Sequence, residues 1–179
     1  MYTSVALQEI INTPALEIFE QQLLQFSSKN EDVEDFIRNK AIEYEKRQFS
    51  RTYLILDEVE IAAYFTLALK TLFFTDEVSN TKKKAIHGLS NKINDVPVVL
   101  IGQLSKNFNY KGNFTGEELL NYALDVVYQV QKLVGGRVCL VETLADDSNE
   151  KVMDFYLQNG FIKLQKDTDG TYQQLIRKL

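Results

Sequence analysis

The residues Lys111-Gly112-Asn113-Phe114-Thr115-Gly116 form a short glycine-bearing run between two apolar stretches. Upstream, Pro97 opens Val98-Val99-Leu100-Ile101-Gly102-Gln103-Leu104, a continuous aliphatic run that predicts a buried strand. Downstream, Leu119, Leu120, Ala123, Leu124, Val127, Val130 and Val134 recur at helical spacing and predict a helix with one face on a sheet. A strand that delivers a glycine loop to a helix start presents unpaired backbone N–H groups at the positive end of the helix dipole. That arrangement suits a phosphate or pyrophosphate. A simple turn without a ligand carries the same pattern, so the loop alone does not decide between them.

Few other side chains could do chemistry. Cys139 falls within Val138-Cys139-Leu140-Val141, where a buried, inert thiol is the expectation. A single cysteine excludes an intrachain disulfide and points to a reducing, cytoplasmic setting. With His87 as the one histidine, a zinc site is not expected, nor any other metal. His87 lies in a polar connection, where an exposed, non-catalytic histidine is expected. The net charge of −5 excludes bulk attraction to nucleic acid, and Lys82-Lys83-Lys84 reads as a solvated face. No apolar run approaches the roughly 18–20 residues of a membrane span, and Met1-Tyr2-Thr3-Ser4 does not open a signal peptide.

The elements that must position these residues alternate along the chain. At 179 residues, one domain spanning 1–179 is expected. Val5-Ala6-Leu7 reads as a short first strand, and Thr13-Pro14 as the cap and first position of a helix carrying Leu16, Phe19, Leu23 and Phe26. Asn30 or Glu31 caps a second helix with Val33, Phe36, Ile37, Ala41 and Tyr44 on one face. Arg51–Leu56 and Ile61–Phe74 form a hairpin across Asp57-Glu58. The connection 75–96 holds one short helix near Val78–Ile86. Phe65, Phe73 and Phe74 are expected in the core, with an acceptor pocket as the other reading. Gly135-Gly136 ends the long helix. Asp146, Asp147, Ser148 or Asn149 caps another helix with Val152, Phe155 and Tyr156 inward, and Gly160 stops it. Phe161–Leu164 and Tyr172–Ile176 close the chain as a hairpin across Asp169-Gly170, and the strand Tyr172–Ile176 reads as an edge for homodimerisation.

The stretch Asn149-Glu150-Lys151-Val152-Met153-Asp154-Phe155-Tyr156-Leu157-Gln158-Asn159-Gly160-Phe161 resembles the second signature of the GNAT acyl-CoA N-acyltransferases: an asparagine, an apolar residue, an aromatic before tyrosine, then Gly-Phe four residues on. The central run is similar to the family's phosphate-loop pattern of Gln or Arg, two residues, Gly, one residue, then Gly or Ala, which falls on Lys111, Phe114 and Gly116. It departs twice. Lys111 keeps a basic donor, whereas Phe114 stands where the family has its first glycine and is expected to hold backbone N–H groups away from a pyrophosphate. One lost charge-assisted bond would cost roughly 1.5–3 kcal/mol, about 10- to 150-fold in affinity. Asp35–Ala41, Ser50–Tyr53 and Ala63–Leu67 more loosely resemble the branch of bacterial toxins that acetylate aminoacyl-tRNA beside an antitoxin, although the acidic balance here does not match the basic surface that branch presents to tRNA.

The resemblance implies an α/β (α+β) GNAT fold with a central, mixed, mostly antiparallel twisted sheet flanked by helices. It implies acetyl-CoA as cosubstrate and a primary amine as acceptor: a small molecule, a peptide or an aminoacyl-tRNA. Leu104, Ser105 and Lys106 take the place of the strand that pairs with the pantetheine arm and polarises the thioester carbonyl. Lys111, Gly112, Asn113, Phe114, Thr115 and Gly116 take the phosphate loop. Asn149 takes a pantetheine contact or the helix cap, and Tyr156 takes the general acid, a phenol of pKa about 10 able to protonate a leaving thiolate. Glu142 is a candidate base, with water as the simpler alternative. The competing reading, favoured by Phe114, is a non-catalytic acyl-CoA-binding or regulatory module with a degenerate phosphate loop.

Overall fold

The computed structural model describes residues 1–90, 92–146 and 149–179. Strands β1 (Tyr2–Ala6), β2 (Arg51–Asp57), β3 (Glu60–Phe73), β4 (Asp95–Lys106), β5 (Val138–Leu144), β6 (Ile162–Lys166) and β7 (Tyr172–Lys178) form one sheet in the order β1-β2-β3-β4-β5-β7-β6. Helices α1 (Leu7–Ile10), α2 (Leu16–Gln25), α3 (Glu31–Asp35), α4 (Ala41–Lys46), α5 (Asn80–His87), α6 (Gly116–Val134) and α7 (Glu150–Gln158) connect them. The chain divides into two compact units, Met1–Ala68 with Ile101–Val126 and Leu69–Leu100 with Val127–Leu179.

In the first unit, β1–β2 and β2–β3 are antiparallel, with Tyr2 opposite Asp57 and Arg51 opposite Leu67. Its core gathers Leu7, Ile10, Leu23, Phe26, Ile37, Leu54, Ile61 and Tyr64. Asn30 caps α3 as expected, its Oδ1 accepting from the Asp32 and Val33 N–H groups. The helix continues through a π turn at Phe36–Lys40 that no sequence pattern announced. There the Arg38 side chain donates to the Phe26 carbonyl at 2.8 Å and pairs with Glu34 at 2.7 Å, and the Tyr64 hydroxyl donates to the Val33 carbonyl at 2.6 Å. Glu45 is buried on α4 and accepts from Arg51 and the Thr52 N–H, which joins the helix to β2.

Two expectations about the start of the chain change. Leu7 belongs to α1 rather than to the first strand. Thr13 does not cap the next helix: its hydroxyl donates to the Ile10 carbonyl and so closes α1, while α2 starts at Leu16 behind Ala15, with no side-chain cap. Phe26 falls just beyond α2, and Tyr44 is exposed, not inward.

In the second unit, β7 pairs antiparallel with both β5 and β6. The strand Tyr172–Ile176 is therefore interior to the sheet, and the dimer edge expected there does not exist; β6 is the outer strand. The core gathers Leu72, Phe74, Val78, Ile86, Val96, Val98, Val138, Leu140, Leu164 and Ile176. Phe73 is exposed while Phe65, in the first unit, is buried and stacks on Tyr53 at 4.9 Å. Lys83 is buried and donates to Asn94, so the lysine run is not wholly a solvated face. His87 is half-buried rather than exposed, and its Nδ1 is enclosed without a protein partner among the described residues. The buried stripe of α6 ends at Val127, and Val134 is exposed beside Gly135, whose positive φ terminates the helix. Val152 is likewise exposed on α7.

Candidate functional site

The segment expected to form the phosphate loop lies in the first unit, and its entrance is fixed by Asn107. The Asn107 backbone N–H donates to the Ala62 carbonyl, its amide donates to the Ile61 carbonyl at 2.9 Å, and its Oδ1 accepts from the Ser27 and Asn109 N–H groups. Just before it, Leu104 is half-buried, Ser105 is buried with its hydroxyl against that of Ser28 at 3.0 Å, and Lys106 is exposed. The Lys106 ammonium reaches forward to the Phe114 carbonyl at 2.9 Å and so ties the two ends of the loop together.

Phe114 does something other than obstruct. Its side chain is buried, with its ring 4.6 Å from Tyr2 and 6.3 Å from Tyr122 between centroids. The non-glycine residues with positive φ among those described are Gln48 and Glu58. The loop therefore follows a path that needs no glycine at 114. The Phe114 ring is an anchor of the segment, packed into the first unit. Tyr2 also bonds the Tyr110 hydroxyl at 3.0 Å, Tyr110 donates to Asp57 at 2.7 Å, and the Tyr122 hydroxyl donates to the Tyr2 carbonyl at 2.9 Å. Asp57 and Tyr2 together push the Tyr110 hydroxyl far above its ordinary pKa, which keeps it a donor. Gly112 is required for space, since a Cβ there would overlap the Tyr110 ring. Lys111 and Asn113 are exposed.

Thr115 and Glu118 form a capping box at the start of α6. The Glu118 carboxylate accepts from the Thr115 N–H at 2.7 Å and hydroxyl at 2.8 Å, and the Thr115 Oγ1 accepts from the Glu118 N–H at 3.1 Å. These bonds hold the Glu118 carboxyl below its usual range, with Lys106 adding a smaller contribution. The sequence carries the signal for this box as Thr115-Gly116-Glu117-Glu118.

The tyrosine segment lies in the second unit. Tyr156 sits near the end of α7 and is 7% exposed, with Phe155 and Phe161 edge-on at 5.3 and 5.4 Å. Gly160, at φ 82°, lets the chain reverse so that the Phe161 N–H donates to the Tyr156 carbonyl and the Phe161 ring turns inward. Arg177 secures the turn through the Asn159 carbonyl at 2.7 Å. Among the described residues, none hydrogen-bonds the Tyr156 hydroxyl. Burial, and secondarily Cys139, pushes its pKa well up, so the phenol stays protonated. Cys139 is itself buried and pushed up to about 12, as expected of an inert thiol.

Asn149 precedes α7 but makes no side-chain cap; its amide donates to Asp146 at 2.9 Å. Asp147 and Ser148, the other cap candidates, lie outside the described residues. Glu142, the candidate base, has both its oxygens within 2.8 Å of Lys70, and the Gln174 amide donates to it. Among the described residues, no group of three acidic, histidine or cysteine side chains could hold a metal ion, and no helix is long and apolar enough to cross a membrane.

No family profile matches the chain. It superposes along 99% of its length on AtaT complexed with acetyl-methionyl-tRNAfMet, covering 95% of that chain with a TM-score of 0.73 and 22% identity. It also superposes on a tyrosine-to-phenylalanine variant of the protein KacT, with a TM-score of 0.72, 25% identity and coverage of 99% and 94%. AtaT is a toxin. The chain has the GNAT fold. A curated relative, the tRNA-acetylating toxin of Mycobacterium tuberculosis (strain ATCC 25618 / H37Rv), is 23% identical over 130 residues, 73% of this chain and 74% of that one. A further AtaT structure was solved with acetyl-CoA and the C-terminus of the antitoxin AtaR. The first unit carries Lys111–Gly116, the residues expected to form the phosphate loop, and the second carries Asn149–Phe161, the stretch that resembles the GNAT signature.

Proposed function

We propose that residues 1–179 form one GNAT domain that transfers the acetyl group of acetyl-CoA to the α-amino group of an aminoacyl-tRNA, in the cytoplasm and under the control of an antitoxin. The observation that carries this reading is Tyr156, a buried phenol with its hydroxyl uncommitted to the described protein groups, on a chain whose whole length follows AtaT. The relatives' own substrates and partners support the acceptor, the cosubstrate and the antitoxin.

In this mechanism the amine lone pair forms the new C–N bond to the thioester carbon. Backbone groups of Leu104–Lys106 steady the carbonyl oxygen as it gains charge. The C–S bond then breaks, and the departing thiolate takes the Tyr156 proton. Water accepts the proton that the nitrogen sheds and reprotonates the phenolate. With Glu142 committed to Lys70, no carboxylate needs to act as base. The net charge of −5 supplies no bulk attraction to the tRNA backbone, so any phosphate contact falls to local basic side chains.

The test is calorimetric titration of acetyl-CoA, with desulfo-CoA as control, followed by acetyl transfer to charged tRNA and growth on induced expression. Micromolar binding, transfer, and growth arrest relieved by Tyr156→Phe are the expected results. No binding at millimolar ligand, or normal growth at high expression, overturns the reading.

A further inference from the structure

The Thr115 N–H belongs to the loop proposed to receive the pyrophosphate of acetyl-CoA, yet in this structure it already serves a carboxylate. Glu118 takes both the N–H and the hydroxyl of Thr115, at 2.7 and 2.8 Å, and its own N–H is bonded to the Thr115 Oγ1. The carboxylate thus lies at the start of α6, where the helix dipole and the free first-turn donors favour one anion. A second anion arriving there meets both occupied donors and a like charge. Lys106 is the cation near this end, and its ammonium is already engaged with the Phe114 carbonyl.

We infer that Glu118 is an affinity-setting residue for the cosubstrate: its carboxylate competes with the pyrophosphate for the Thr115 donors and must swing out of the capping box before the ligand seats. The inference rests on the acetyl-CoA reading above. It assigns Glu118 a role opposite to that of an ordinary cap, because removing it should tighten ligand binding while loosening the helix. Glu117, exposed and one residue earlier, is not a partner of Thr115 and supplies the control for charge alone.

The experiment is titration of CoA and of pantetheine, which lacks the pyrophosphate, into the unaltered chain and the variants Glu118→Ala, Glu118→Gln and Glu117→Gln. Glu118→Ala should bind CoA about tenfold more tightly, the order of one freed charge-assisted bond. Glu118→Gln, which can keep a neutral box and so guards against loss of folding, should fall between the two. Glu117→Gln should change binding less than either, and pantetheine affinity should not change in any variant. Equal or weaker CoA binding by folded Glu118→Ala and Glu118→Gln, or an equal gain for pantetheine, overturns the role of Glu118. If the unaltered chain itself binds neither CoA nor pantetheine while remaining folded, the acetyl-CoA reading fails and takes this inference with it.

Discussion

The phosphate-loop segment and the tyrosine segment are held by different kinds of bond. Tyr156 is positioned mostly by neighbours in its own stretch, Phe155 beside it, the Gly160 reversal after it and the Phe161 ring folded back on it, with Arg177 securing the turn from β7. Lys106–Gly116 is positioned by residues far away in the chain, with Tyr2, Asp57, Ile61 and Ser27 each reaching it. A segment fixed by its own sequence must keep a recognisable pattern. A segment fixed from outside can exchange a glycine for a phenylalanine, provided the surroundings receive the ring.

The sharpest way to break the comparison is at the tyrosine. Tyr156→Phe should lower acetyl transfer by about 10²- to 10⁴-fold while acetyl-CoA affinity and the thermal midpoint hold, because only a proton donor is lost. A fall in CoA affinity of the same size would make Tyr156 a packing residue instead. Phe114→Ala comes next. Emptying a buried ring site costs roughly 3–5 kcal/mol, so urea unfolding should shift by that amount and CoA binding should weaken. A gain in affinity would restore Phe114 as an obstacle.

Tyr2→Ala should act on the loop alone, raising the KM for acetyl-CoA by about fivefold, the order of one lost ring–ring or hydroxyl contact, with kcat little changed. Tyr2→Phe, which keeps the ring, should recover part of that. The smallest effect is expected at Glu142→Gln. Its pair with Lys70 is partly exposed and worth about 0–1 kcal/mol, so transfer rates should stay within a few-fold of the unaltered chain. A loss of 100-fold or more would reinstate Glu142 as the base.

The same contrast explains what could be read from the sequence. The GNAT signature from Asn149 to Phe161 is contiguous, and the strand-to-helix passage around 98–134 follows from hydrophobic period alone. The Thr115–Glu118 box was legible too, being an N-terminal helix pattern of four residues. What escaped depended on tertiary context. Nothing local tells Phe114 that Tyr2 and Tyr122 will flank it, or commits Glu142 to Lys70. The π turn at Phe36–Lys40 is bonded through Arg38 to a carbonyl outside its own helix. The place of Tyr172–Lys178 inside the sheet depends on strand order, which periodicity does not encode. Thr13-Pro14 misled because a threonine before proline suits the end of one helix as well as the start of the next.

The bond between Tyr2 and Tyr110 spans 108 positions of the chain. Closing so long a loop carries a large entropic cost before any contact rewards it, so contacts of this kind form late in folding. The segment around Tyr110 should therefore be among the last parts of the molecule to acquire its shape. During synthesis, β1 leaves the ribosome long before its partner on the loop exists. Tyr2 thus waits for a partner 108 positions downstream, and the segment it holds takes its shape only after that stretch has emerged.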